Sequence, residues 1–195
     1  MRDFLFLRHG ETDWNVANRM QGQIQDIPLN DTGRRQAEDA ASFLARQSFG
    51  LIVSSTLDRA AVTARIIAER TGTPLVFDKR LIERSWGVAE GLTYDEFTAA
   101  DPATFFTSDG RQDWIAKARQ PKGSETREEL ADRASAALFD LLSRHQEQRL
   151  LLVTHGAWLR ALAYLLTGID QIFPNATPYI AREEESGWQI NPMVC

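Results

Sequence analysis

Two of the chain's three histidines arrive in the same way, after an apolar run and one polar residue and directly before glycine. The first pattern is Phe4-Leu5-Phe6-Leu7-Arg8-His9-Gly10, and the second is Leu150-Leu151-Leu152-Val153-Thr154-His155-Gly156. An imidazole can act as nucleophile, general base, hydrogen-bond donor or metal ligand. Arg8 adds a planar fork of donors suited to an oxyanion such as phosphate. A lone His behind a strand can simply hydrogen-bond a neighbouring loop. The pattern's return near the other end of the chain, each time with a glycine that lets backbone approach a ligand, favours one shared site. His145 lies in the polar stretch Ser143-Arg144-His145-Gln146-Glu147 and reads as solvated.

The elements needed to position these groups follow from the pattern. A short apolar run that stops at Gly reads as a buried strand of a parallel sheet. In open α/β sheets the ligand crevice lies beyond the carboxyl ends of the strands, so both imidazoles and Arg8 are delivered to one sheet edge. Between them strand and helix signals alternate. After a long loop over 11–31, the spacing predicts a helix over about 33–47, with Ala37, Ala40, Ala41 and Leu44 inward. A strand over 51–53 precedes a helix over about 56–70, with Ala60, Ala64, Ile67 and Ala68 inward, and 75–77 is a third short strand. Thr93-Tyr94-Asp95-Glu96 and Thr126-Arg127-Glu128-Glu129 both read as capping boxes; the second opens a helix burying Leu130, Ala134, Ala137, Leu138, Leu141 and Leu142. A helix over 158–166 and a hairpin turning at Ser186-Gly187 complete the count. The expected fold is therefore α/β, a three-layer αβα sandwich with a mostly parallel central sheet and helices on both faces. Residues 1–195 read as one domain, with about 80–123 as a variable, substrate-facing insertion.

Two more residues carry chemistry in context. Arg59 sits in the first turn of a helix that directly follows a strand, where backbone donors already favour an anion. An exposed helix Arg is the alternative, and it fits Arg65 or Arg70 better. Glu83, in Leu81-Ile82-Glu83-Arg84-Ser85-Trp86-Gly87, reads as lying just after a strand and before a glycine-bearing loop. Alone it would be a carboxylate paired with Arg84; beside two imidazoles and two guanidiniums it becomes the available proton donor.

Composition narrows the class. A hydrophobic share of 43% and a charged share of 25% suit a globular protein. Cys195 is the single cysteine, so no disulfide or Cys-based zinc site forms within one chain. Arg8 interrupts the first apolar run too early for a signal-peptide core, and no run reaches the length of a membrane span. A cytoplasmic enzyme is the expectation, and the sequons at Asn30 and Asn175 then carry no weight. The net charge of −5, without a basic stripe, argues against a nucleic-acid partner. An anionic substrate must then be drawn by a local cationic cluster.

The ordered motifs resemble the histidine phosphatase superfamily, the phosphoglycerate-mutase-like proteins, and within it the phosphatase branch. Those motifs are Arg8-His9-Gly10-Glu11-Thr12 with Trp14-Asn15, Gln21-Gly22 with Pro28-Leu29, Ser54-Ser55 with Arg59-Ala60, Glu83 with Gly87 and Glu90-Gly91, Gly123-Ser124-Glu125-Thr126, and Val153-Thr154-His155-Gly156. The resemblance implies that His9 is the nucleophile and forms a phosphohistidine. Arg8, Arg59 and His155 would bind the phosphoryl oxygens, and Glu83 would protonate the leaving group. Asn15, Gln21, Gly22, Trp86 and Gly156 would complete the phosphate and substrate site. It implies no cofactor, no metal and a small-molecule phosphate ester as partner; oligomeric state and physiological substrate stay open. His9 would need its second nitrogen held by an acceptor such as a backbone carbonyl.

Some positions depart from the family pattern. Ala89 stands where a Trp is usual before Glu-Gly, and Ala157, Trp86 and Tyr94 replace the Asn, Tyr and Lys of mutase-type members. Arg111, Lys117, Arg119 and Lys122, with Trp114, could meet a second anionic group, or they could form a solvated face balanced by Asp109 and Asp113. A mutase-type isomerase and a non-catalytic phosphate-binding protein are the alternative functions. A metal hydrolase is weaker, because neither His sits in a ligand-spaced motif.

Overall fold

Alternation along the strands is what divides the core into two layers. In the computed structural model, which describes residues 2–100 and 121–193, the first pattern forms β1 (Asp3–Arg8) and the second β4 (Leu150–Thr154). Successive side chains on a strand point to opposite faces. Phe4, Phe6, Leu150 and Leu152 therefore enter one buried cluster, while Leu5, Leu7, Leu151 and Val153 enter another. β2 (Leu51–Ser54) obeys the same rule, with Val53 on the first face and Ile52 on the second.

The first face is covered by α5 (Arg127–Arg144) and α6 (Gly156–Thr167), and the second by α2 (Asp31–Leu44) and α3 (Asp58–Thr71). Each helix buries the stripe that its period predicts, except that Ala68 of α3 is only partly covered. Thr126 closes its capping box with Glu129 at the start of α5, and Asn30 caps α2 through Gly33 N–H at 2.8 Å. Glu96 and Thr93 cap each other at α4 (Tyr94–Ala100).

With β3 (Leu75–Phe77), β5 (Tyr179–Glu184) and β6 (Gly187–Pro192), the sheet runs β3-β2-β4-β1-β5-β6. The first four of these are parallel, and the hairpin β5–β6 adds antiparallel to β1. The expected three-layer α/β architecture is the one observed. The site's location follows from strand order. β1 and β4 are neighbours in register, Arg8 opposite Thr154, yet the chain leaves β1 towards the α2–α3 face and leaves β4 into α6 on the other. Such a switch point opens a crevice between the strand ends.

Two details differ from the sequence reading. A one-turn helix α1 (Asp13–Val16) interrupts the long loop, capped by Thr12. Glu83 follows a 3-10 turn (Lys79–Leu81), not a strand, because β3 has already ended at Phe77. Arg111, Trp114, Lys117 and Arg119 lie outside the described residues, while Lys122 is exposed and offers its carbonyl to Val88 N–H. Among the described residues no helix is long and apolar enough to cross a membrane.

Candidate active site

Beyond the ends of β1 and β4 lies a cavity of about 450 Å³ lined by Arg8, His9, Asn15, Gln21, Gly22, Arg59, Glu83, Trp86 and Gly156, among others. Of the ten residues that the resemblance assigns to the catalytic and phosphate site, His155 alone is absent from its wall. It stands fully buried behind His9, with ring centroids 5.2 Å apart.

His9 Nδ1 lies 2.7 Å from the Gly10 carbonyl oxygen. A carbonyl can only accept, so in the neutral ring Nδ1 carries the proton and Nε2 keeps its lone pair. Burial holds the His9 pKa well below its ordinary value, and the Arg59 and Arg8 charges push the same way. His155 is held low for the same reasons, burial first, then Arg59, His9 and Arg8. Both rings are thus neutral at pH 7. The His9 backbone is pinned on both sides: its N–H donates to Thr154 O at 3.0 Å, and its carbonyl accepts Asn175 Nδ2 at 2.8 Å.

Arg59 is fully buried and donates to the Ile24 and Gly22 carbonyls at 3.0 and 2.7 Å. Burial lowers its pKa to about 10, which leaves it charged at neutral pH. Arg8 is lowered by burial too, opposed by the Glu83 charge, and its guanidinium lies against Gly156, where a Cβ would stand 3.5 Å away. Arg8 Nε, Arg59 Nε, His155 Nδ1 and Gln21 Oε1 are all buried without a hydrogen-bond partner among the described residues. A buried donor left unsatisfied costs about 1–3 kcal/mol. Three such donors around one imidazole, two of them on cations, make a cradle for a compact oxyanion.

Glu83 faces this cradle from the start of α6. Its Oε2 accepts Ala157 N–H at 3.1 Å, and its Oε1 accepts the Trp158 and Arg84 N–H groups at 3.2 and 2.8 Å. Arg84, the neighbour that a surface reading would pair with Glu83, instead donates from Nε to the Glu125 carbonyl and lies 4.4 Å over the Trp86 ring. Asn15 uses its Oδ1 to accept from Thr12, so only its Nδ2 donors are offered to a ligand. Gly22 has φ +50°, and a Cβ there would stand 2.1 Å from Glu90 Oε1.

Sequence reasoning missed several supports. Asn175, noticed only as a sequon, bridges His9 O and Asn15 Oδ1. Ser55 reaches His155 Nε2 at 2.7 Å. Glu90 Oε1 joins the two rims, accepting Gln23 N–H at 3.1 Å and Trp86 N–H at 3.0 Å. Tyr94 and Arg160 also line the cavity, and Arg160 pairs with Asp170 at 2.6 Å. Ser55 and Glu90 stood within the Ser54-Ser55 and Glu90-Gly91 motifs but carried no assigned role; Asn175 had no such signal.

Known proteins are similar to this chain in sequence and fold. The family model for the histidine phosphatase superfamily (branch 1) matches residues 4–193. The chain is 38% identical to a glucosyl-3-phosphoglycerate phosphatase of Mycolicibacterium vanbaalenii over 177 residues, 87% of this chain and 76% of the relative. It is also 38% identical to a probable phosphoglycerate mutase of Salmonella choleraesuis over 174 residues, with 87% and 76% of the two chains covered. A solved mycobacterial glucosyl-3-phosphoglycerate phosphatase, in complex with vanadate (VO3), superposes with a TM-score of 0.84 at 31% identity, covering 100% of this chain and 99% of that one.

Proposed function

We propose that this chain, which belongs to the histidine phosphatase superfamily and is a phosphomonoester hydrolase, works by two successive displacements at His9. The observation that carries the reading is the bare Nε2 of a neutral, buried His9 beside unsatisfied donors of Arg8, Arg59 and His155. Those donors take the phosphoryl oxygens, with Asn15, Gln21, Gly22 and Gly156 completing the cradle. His9 Nε2 then attacks phosphorus, and the ester P–O bond breaks as Glu83 gives its proton to the leaving oxygen. Phosphoryl transfer runs through a loose transition state, so positioning and charge stabilisation are the protein's main contribution. Water, deprotonated by Glu83, attacks the phosphohistidine; the P–N bond breaks and inorganic phosphate leaves.

Among the described residues no three His, Cys, Asp or Glu side chains are grouped to hold a metal ion, and the two arginines supply the charge that a metal would otherwise bring. Hydrolysis is favoured over isomerisation because Ala157 offers no polar side chain beside the transferred phosphate, and Trp86 is packed beneath Arg84. The net charge of −5, without a basic stripe, argues against a nucleic acid, and a small phosphate ester is drawn instead by the local charges of Arg8 and Arg59. Glu83, Trp86 and Tyr94 line the cavity, which supports reading the described part of the 80–123 stretch as substrate-facing within one domain.

The test is rapid quench with labelled phosphate ester. Protein-bound label that is acid-labile, base-stable and absent from His9→Ala, with turnover unaffected by chelator, is the expected result. Label that persists in His9→Ala, or activity that zinc or magnesium must restore, overturns the reading.

A further inference from the structure

Only the short 3-10 turn Lys79–Leu81 precedes Glu83, yet the carbonyls of residues 80–83 all find donors. Arg80 O accepts from Arg133 Nη1 at 2.8 Å and from Trp158 Nε1 at 2.9 Å. Leu81 O accepts the Thr154 hydroxyl at 2.7 Å, and Ile82 O accepts Arg133 Nη1 at 2.8 Å. Glu83 O accepts Arg133 Nη2 at 3.3 Å and Gln23 Nε2 at 3.0 Å. One guanidinium, reaching across from α5, thus serves three carbonyls of this segment.

That guanidinium is itself fixed. Glu125 takes Arg133 Nε at 2.8 Å and Nη2 at 2.7 Å, a bidentate pair with side chains 19% and 14% exposed. Glu125 also grips the segment beyond Glu83. Its N–H donates to Ser85 O, its carbonyl accepts Arg84 Nε, and its Oε2 accepts Ser85 N–H at 3.4 Å. Bidentate geometry sets direction as well as strength. The pair therefore clamps the chain immediately before and after Glu83 and sets where its carboxyl stands at the α6 N-terminus.

We infer that Arg133, held by Glu125, is a positioning residue for the Glu83 proton donor. The inference rests on the proposed role of Glu83 and adds to it the group that fixes the acid's reach. A ~1 Å misplacement of a catalytic group can cost about 100-fold in rate, and general acid catalysis contributes about 10²–10⁴. The loss must fall on esters whose leaving group needs a proton, whereas a merely structural defect would lower all substrates alike.

The experiment measures kcat for an alkyl phosphate and for an activated aryl phosphate in wild type, Glu83→Gln, Arg133→Met, Arg133→Lys, Glu125→Gln and the double variant Glu83→Gln/Arg133→Met. Arg133→Met should lose about 10–100-fold on the alkyl ester and only about threefold on the aryl ester. Arg133→Lys and Glu125→Gln should show the same selectivity with smaller losses, because a lysine cannot serve the carbonyls and the carboxylate together. They also carry the test if Arg133→Met fails to fold. The double variant should be no slower on the alkyl ester than Glu83→Gln, as groups acting through one another are non-additive. Equal losses on both esters in the Arg133 and Glu125 variants, beside a selective Glu83→Gln, overturn the positioning role alone. A Glu83→Gln that is equally slow on both esters overturns the acid and the inference together.

Discussion

The Ser55 hydroxyl lies 2.7 Å from Nε2 of His155 while accepting the Leu57 backbone N–H at 3.2 Å. A hydroxyl has one proton and two lone pairs; with Leu57 N–H on one lone pair, Nε2 is the only acceptor for the Ser55 proton among the described residues, so that proton points at the imidazole. The neutral His155 ring must then carry its proton on Nδ1, the atom left buried without a partner among the described residues. The two histidines consequently present opposite faces of the same chemistry. In the proposed reaction His9 offers a lone pair for attack, and His155 offers an N–H to a phosphoryl oxygen.

Ser55→Ala should release that tautomer and weaken the cradle. Vanadate or phosphate affinity is expected to fall about 10-fold, the scale of one hydrogen bond to a charged acceptor. Nitrogen NMR of labelled histidines checks it directly, with His155 protonated at Nδ1 in wild type and mixed in the variant. An unchanged tautomer and unchanged affinity would remove Ser55 from the mechanism.

Both active-site imidazoles have pKa values depressed by burial and by the neighbouring arginines. In the unfolded chain they take up protons as pH falls through about 6.5, whereas the folded rings do so only at much lower pH. Stability is therefore intact above that value and declines as pH falls towards the folded pKa, by up to about 1.4 kcal/mol per pH unit for each ring. Urea midpoints should drop between neutral and mildly acidic pH, and inorganic phosphate should oppose the drop by favouring protonated imidazole. A midpoint that holds flat in that window would contradict the depressed values.

Gly22 occupies positive φ with Glu90 against it and Arg59 on its carbonyl. Gly22→Ala forces a left-handed residue, about 1–2 kcal/mol, and drives the new methyl into Glu90. Thermal melts should show a loss of at least that size. KM should rise more than Tm loss explains, because the displaced loop also releases Arg59. A variant with wild-type KM would show that the loop geometry is incidental to binding.

By the family resemblance of the sequence, Ala157, Trp86 and Tyr94 stand where mutase-type members would carry Asn, Tyr and Lys. Product alcohol should then leave before it can rotate and be rephosphorylated. A coupled assay with 3-phosphoglycerate and added 2,3-bisphosphoglycerate should record phosphate release and negligible isomerisation. Cofactor-stimulated isomerisation faster than hydrolysis of any ester tested would reverse the choice.

The sequence by itself determined the layers and the principal chemical groups. The apolar runs before His9 and His155 are strands buried on both faces, a pattern readable residue by residue, and their His-Gly ends must lie at the ligand edge. The Thr93/Glu96 and Thr126/Glu129 boxes were legible because both partners sit within one turn. α1 escaped notice because its single turn closes Thr12 with Asn15, not with Glu or Gln. Tertiary structure alone decided the rest. Asn175 meets His9, Ser55 meets His155 and Arg133 meets Glu83 across wide stretches of chain, and side-chain-to-distant-group bonds leave no period in the sequence. Burial periodicity encodes which face of an element turns inward. Which buried donors stay unsatisfied among the described residues, and so in the proposed reaction receive a phosphate, is decided only when β1 and β4 lie side by side and their following helices part.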